Sequence, residues 1–301
     1  MISFLTAFCI TALVFGTAAL IVVPKMQSTL YTYTGTTQKD PSELVVGFEP
    51  VTDTEVTSTE AGFSVLLVGT DKRPGVEVSS VDSLILMKIC PSKKAVVFMP
   101  IPTDIKVSAS DGEQFLSELR NTEGMDYLCE KIKGLTGTSI NYYAIASLKS
   151  FKNIVNDLGG IEYNVPETIH CEKPDEDYEI NIAKGYQVLD GDDAAKLMRY
   201  SEGGIGARME LNTTLLKNLI RKHTAEQYKS NALDLYNTII ENTTTNFTET
   251  DLAENIEAIF SYHSCNEVDL AFPGEYEKNN KGEYVFVPNT SLAYEMMDNY
   301  K

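Results

Sequence analysis

No charged side chain occurs in the 22 residues from Ile2 to Val23, and this run constrains the chain more than any other feature. At about 1.5 Å per residue, a helix of that length crosses the ~30 Å hydrocarbon core of a bilayer, and Pro24 and Lys25 close it. A cleaved signal peptide would have an apolar region of only ~7–15 residues. A buried core helix would show a polar face, and none is present. Residues 1–25 are therefore read as an uncleaved transmembrane signal anchor. Lys25 follows the span and no Lys or Arg precedes it, so charge alone favours the opposite orientation, and only weakly.

Residues 26–60 come next as a stalk. From Ser28 to Glu60, 12 of 33 residues are Ser or Thr, with Pro41 and Pro50 and little apolar periodicity. Such a segment buries too little apolar surface to order itself and serves as a spacer. Residues 61–301 remain as one globular domain, for which 43% hydrophobic residues in the chain give a sizeable core. The net charge is −18. A surface so acidic repels phosphate backbones, and no basic helix-turn-helix is recognisable, so nucleic acid is not an expected partner. An anionic substrate needs a local basic pocket. Cys90, Cys129, Cys171 and Cys265 allow two disulfides in three pairings, but no C-x-x-C or metal spacing occurs. Cys90 ends an apolar run and reads as a buried thiol.

Apolar runs predict strands at Phe63–Gly69, Ser83–Ile89 and Ala95–Ile101, the last two joined by a polar turn at Pro91–Lys94. Met125, Leu128, Ile132 and Leu135 recur at helical spacing, with Gly134 and Gly137 expected to end that helix. Tyr142–Ala146 reads as a strand, Leu148–Leu158 as a helix stopped by Gly159-Gly160, and Ile161–Val165 as a strand. Helices are expected at Asp192–Tyr200, Arg208–His223, Leu233–Glu241 and Leu252–Tyr262, and late strands at Val268–Phe272 and Tyr284–Val287. Strands alternating with helices indicate a layered α/β sheet.

Three acids stand at strand ends: Asp71 in G-T-D-K-R, Asp82 eleven residues on, and Asp104 in P-I-P-T-D. Loops at such ends converge on the ligand crevice of an α/β sheet. Clustered there, the acids suit a hard cation such as Mg²⁺, which takes carboxylates together with substrate phosphates. Singly, each also suits a turn or cap. Arg73, Arg199 and Arg208 complement them, since a guanidinium offers a planar fork of donors to phosphate. Arg208 is expected to open a helix after the flexible Gly203-Gly204-Ile205-Gly206 run, where free N–H groups also favour an anion. His170, His223 and His263 have no partner at catalytic spacing, and G-G-I-G is not followed by Lys-Ser/Thr, so neither a hydrolytic triad nor a nucleotide loop is expected.

The ordered motifs VLLVGTDKR, VDSLILMKI, AVVFMPIPTDIKV, INYYAIASLKSFKNIVNDLGGIEYNV and KGYQVLDGDDAAKLMRY resemble the LytR-CpsA-Psr family of cell-wall proteins. The tail FPGEY…YVFVPN resembles the family's C-terminal portion more loosely. The resemblance implies a layered α/β/α domain with a central mixed sheet, held outside the cytoplasmic membrane by one N-terminal helix. It implies transfer of a glycopolymer from a polyprenyl-pyrophosphate carrier to peptidoglycan, with Mg²⁺ and a greasy tunnel for the lipid. Matched by motif, Asp71 and Asp82 are the metal-side acids, and Asp82 and Asp104 the catalytic ones. Arg73, Arg199, Arg208 and Asn212 fall on the substrate side. The departures lie on the basic side. Thr103, Ser80 and Ser201 stand where the family carries arginines, Ile205 where it carries an acid, and Leu211-Asn212 where it carries Arg-Gln. Lys106, two residues past Asp104, is the substitute cation expected for Thr103. A catalytically weak or inactive relative that binds polyprenyl-pyrophosphate lipids or assists an active paralogue is the alternative reading.

Overall fold

The computed structural model describes residues 62–70, 80–173, 178–200, 203–279, 282 and 284–301. The expected anchor and stalk, residues 1–60, lie outside them, and among the described residues no helix is long and apolar enough to cross a membrane.

The apolar runs form β1 (Phe63–Thr70), β2 (Val81–Cys90) and β3 (Ala95–Ile101). A hairpin of β4 (Lys106–Ala109) and β5 (Gly112–Phe115) leads into α1 (Leu116–Thr122) and α2 (Met125–Thr136). Then follow β6 (Tyr142–Ser147), α3 (Leu148–Asp157), β7 (Ile161–Val165), β8 (Ile169–Lys173), β9 (Tyr178–Ile182) and β10 (Gly185–Leu189). The second half holds α4 (Gly191–Arg199), α5 (Gly204–His223), α6 (Ala232–Asn242), β11 (Thr244–Thr245) and α7 (Glu249–Phe260). It ends with β12 (Asn266–Asp269), β13 (Gly274–Lys278), β14 (Tyr284–Pro288) and α8 (Thr290–Asp298).

Six strands make one mixed sheet in the order β11-β6-β1-β2-β3-β12. β1 runs antiparallel to β2 and parallel to β6, and β3 antiparallel to β2 and parallel to β12. Successive side chains alternate between its faces. Leu66, Leu86 and Met99 meet Leu128 and Ile132 of α2 and Met297 of α8 on one face. Ile85, Met87 and Phe98 meet Ala258 of α7, with Leu216 and Ile220 of α5 packed alongside, on the other. The sheet is thus the middle of three layers, and burial on both faces is why its central strands β1, β2 and β3 are largely apolar. A further core gathers Val155, Ile161, Val165, Ile180, Leu197 and Leu215, where β7 pairs with β10 and β8 with β9 apart from the main sheet.

Three expectations change. Gly134 lies inside α2, and only Gly137, at φ +69° in the left-handed region, ends it. α5 begins at Gly204, so the run read as flexible supplies its first turn and Arg208 stands a full turn inside the helix. Gly204 enters at φ +84°, a conformation that strains any residue with a Cβ. The strand expected at Val268–Phe272 is Asn266–Asp269, because parallel pairing with β3 sets Asn266 against Ala95 and Asp269 against Phe98. Cys90 is buried as expected, and its thiol reaches the Tyr300 carbonyl at 3.2 Å.

Candidate functional site

Where β1 meets the start of β2, the ladder slips. Gly69 faces Ser83 but Thr70 faces Val81, so Asp82 is the extra residue of a β-bulge. A bulge takes its residue out of regular pairing and re-aims the side chain. Asp82 lines a cleft at this end of the sheet.

The chain leaving β3 turns at Thr103-Asp104-Ile105, and backbone N–H groups meet three successive carbonyls there. Ser117 donates to Thr103 at 3.0 Å, Phe286 to Asp104 at 3.3 Å and Leu116 to Ile105 at 3.0 Å. Ile105 also bridges to Phe286. The start of α1 and strand β14 thereby fix the backbone that carries Asp104. Opposite stands the first part of α5. Ile205, Arg208 and Met209 close the cleft over Asp82, Thr103 and Asp104, leaving a volume of ≈ 90 Å³. Among the described residues no side chain caps the N-terminus of α5, so its first-turn N–H groups add donor potential at the rim. Arg208 also lines a second, more apolar cavity of ≈ 170 Å³, together with Tyr163, Pro166, Ile169, Tyr200 and Leu211. Glu167 lines this second cavity too, so Arg208 borders two cavities that each hold a carboxylate, the second with the more apolar walls.

Tyr276 of β13 reaches the same place. Its hydroxyl donates to Asp104 Oδ1 at 3.4 Å, and its ring meets the Phe286 ring edge-on at 5.1 Å. Burial, then the charge of Asp104 and the hydrogen bond to it, pushes the phenol up to about 12, with Arg208 drawing it partly back. The hydroxyl stays protonated and remains a donor throughout the neutral range.

Of the residues singled out in the sequence, Asp82, Asp104 and Arg208, and with them Thr103, line this one cleft. Arg199 ends α4 and lines neither cavity. Asn212, one turn beyond Arg208, also lines neither. It is buried, and its Oδ1 has no hydrogen-bond partner among the described residues. Asp71 and Arg73 lie outside the described residues. Lys106 sits over the Phe115 ring, 4.7 Å from its centre, and does not line the cleft. Sequence reading missed Tyr276. Its Gly-Glu-Tyr-Glu-Lys segment reads as a charged loop between the two expected late strands, and nothing in it points to a partner 172 residues away. Among the described residues no three His, Cys, Asp or Glu side chains are grouped to hold a metal ion. A carboxylate such as that of Asp82 has the donor chemistry that Mg²⁺ takes together with substrate phosphate oxygens.

Comparison with known proteins matches residues 21–301 to the LytR_cpsA_psr family. The polyisoprenyl-teichoic acid–peptidoglycan teichoic acid transferase TagU of Bacillus cereus is 27% identical over 237 residues, spanning 76% of this chain and 74% of the relative. The crystal structure of B. subtilis TagV superposes with a TM-score of 0.68 at 22% identity, covering 80% of this chain and 97% of that one. A structure of TagT bound to LI-WTA gives 0.63 at 18% identity, covering 85% and 94%. At these identities the structural likeness establishes the fold, a mixed α/β domain around a central mixed sheet.

Proposed function

The chain belongs to the LytR_cpsA_psr family, and from that premise we propose that it transfers a cell-wall glycopolymer from a polyprenyl-pyrophosphate carrier to peptidoglycan. The observation that carries this reading is the meeting of Asp82, Asp104 and Arg208 in one cleft that adjoins, through Arg208, a cavity with mainly apolar walls. A pyrophosphate lipid has this same division, a dianionic head and an apolar tail. The likeness to TagU, a polyisoprenyl-teichoic acid–peptidoglycan teichoic acid transferase, supports the substrate class. We further assign residues 1–25 to a single membrane span, with the domain outside the membrane, because both reactants belong to the envelope.

In this mechanism Arg208 and the first-turn N–H groups of α5 hold the pyrophosphate oxygens. An acceptor hydroxyl of peptidoglycan forms a bond to the phosphorus on the glycan side. The bridging P–O bond breaks, polyprenyl phosphate leaves, and the hydroxyl proton passes to Asp104. Phosphoryl transfer of this kind relies mainly on positioning and charge neutralisation. Asp82, with Asp71 two positions beyond Gly69, would hold Mg²⁺, which supplies charge neutralisation at the phosphate oxygens.

One observation favours a second reading, a lipid-binding relative with weak catalysis: among the described residues that line the acidic cleft, Arg208 is the single cation. The two are separated by incubating the purified domain with a polyprenyl-pyrophosphate glycan and peptidoglycan, while analysing co-purifying lipid by mass spectrometry. Transfer that Asp104→Asn abolishes supports the enzyme. Bound polyprenyl lipid without transfer decides for the second reading, and neither lipid nor transfer overturns both.

A further inference from the structure

We infer that Tyr276 is a positioning residue for the transfer reaction, its hydroxyl holding Asp104 Oδ1 so that the other carboxylate oxygen faces the acceptor hydroxyl. This assignment rests on the transferase reading and adds the C-terminal hairpin of β13 and β14 to the reaction centre. It follows from what restrains Asp104. Its backbone is held by the Phe286 N–H, and the carbonyls on either side by Ser117 and Leu116. The freedom left to the residue is rotation of its own side chain. Among the described residues, the hydrogen bond recorded to that carboxylate comes from Tyr276, at 3.4 Å.

The tyrosine is itself anchored. Its ring stands at 80° to Phe286, a residue only 7% exposed whose backbone already grips Asp104. Restraint therefore runs from the buried Phe286 through the Tyr276 ring to the carboxylate. A distance of 3.4 Å is long for such a bond, and contacts of this kind commonly shorten when substrate closes the site. Holding one oxygen leaves the second with a defined direction, and a general base needs that before its basicity matters. A phenol suits the task better than a cation here. It orients the carboxylate without competing with Arg208 for the pyrophosphate, and it keeps its proton at neutral pH.

The test compares the parent with Tyr276→Phe, which keeps the ring against Phe286 and removes only the hydroxyl, and with p-aminophenylalanine at position 276, which restores a neutral donor. Turnover, acceptor KM, the Kd for a polyprenyl-pyrophosphate analogue and thermal stability are measured for each. Tyr276→Phe should lower kcat about tenfold, a loss of ~1.4 kcal/mol in transition-state stabilisation, with the Kd and melting temperature unchanged. The aminophenylalanine protein should regain most of that rate, which a purely structural ring would not require. Equal kcat in parent and Tyr276→Phe, or a Tyr276→Phe defect that the amino variant leaves unrepaired, overturns the assignment while leaving the transferase reading intact. A parent without transfer removes both, and the parent's own assay identifies that case.

Discussion

Lys217 Nζ lies 2.6 Å from Asp269 Oδ2 and 3.3 Å from Glu267, tying the middle of α5 to the edge strand β12. The lysine side chain is 11% exposed and the aspartate 62%, so the two ends of the bond live in different media. Lys217→Met should cost about 1–3 kcal/mol, less than breaking a fully buried pair, because Asp269 returns to water and Glu267 keeps Arg221. Urea unfolding with unchanged slope would measure it.

Glu267 predicts an acid-sensitive contribution. Burial pushes its carboxyl up, but hydrogen bonds from Arg221 and Tyr262, with the charges of Arg221 and Lys217, outweigh burial and hold it below the usual range. A depressed carboxylate stabilises the fold fully above its unfolded value, about 4.3 for Glu, and that stabilisation is lost as the pH falls through the folded value. The stability gap between the parent and Glu267→Gln should therefore be largest near neutrality and shrink below about pH 4. Paired melts across pH 3–7 test this, and a gap that widens in acid would contradict it.

The two arginines matched by motif should separate. Arg208 borders both cavities, whereas Arg199 borders neither. Arg208→Ala is expected to weaken binding of a polyprenyl-pyrophosphate analogue at least tenfold, ~1.4 kcal/mol, and Arg199→Ala by less than half as much in free energy. Titration calorimetry on both variants decides the order.

Thr103 lines the cleft while its carbonyl is held by the Ser117 N–H, so a new side chain there should enter without moving the loop. Thr103→Arg adds a guanidinium beside Asp104 and should tighten pyrophosphate binding about three- to tenfold. Lys106→Met, in contrast, should leave that affinity unchanged, since its ammonium sits on Phe115. An affinity loss in Lys106→Met would restore it as the substitute cation.

Apolar runs made the sheet legible. Ala95–Ile101 is the strand the sequence implies to the residue, and β1 and β2 differ only at their ends. Burial on two faces leaves those segments few polar residues, Ser64 in β1 and Ser83 and Lys88 in β2 among them, to blur the signal. The C-terminal hairpin was half legible, since β14 shows as Tyr284–Val287, while the exposed Gly274–Lys278 strand shows little apolar signal. In the site, Asp104 and Arg208 were found through their motif, but the reason Asp82 enters the cleft was not. A bulge is a property of pairing between strands, and a single strand does not encode it. Gly203–Gly206 looked flexible because glycine disfavours helices, yet Gly204 at φ +84° is how the chain turns into α5.

The span of 172 residues between Asp104 and Tyr276 has a consequence for synthesis. A chain made from its amino end can complete β1, β2, β3 and the first helices, whose contacts are close in sequence, long before β13 leaves the ribosome. The carbonyl of Asp104 waits for Phe286, and its carboxylate for Tyr276. Long-range contacts of this kind form late because closing so large a loop carries the greatest entropic cost. A chain stalled or clipped before residue 274 would keep much of its sheet with the rim of the cleft unfinished. Completion of this site thus reports that synthesis has passed β13 and β14.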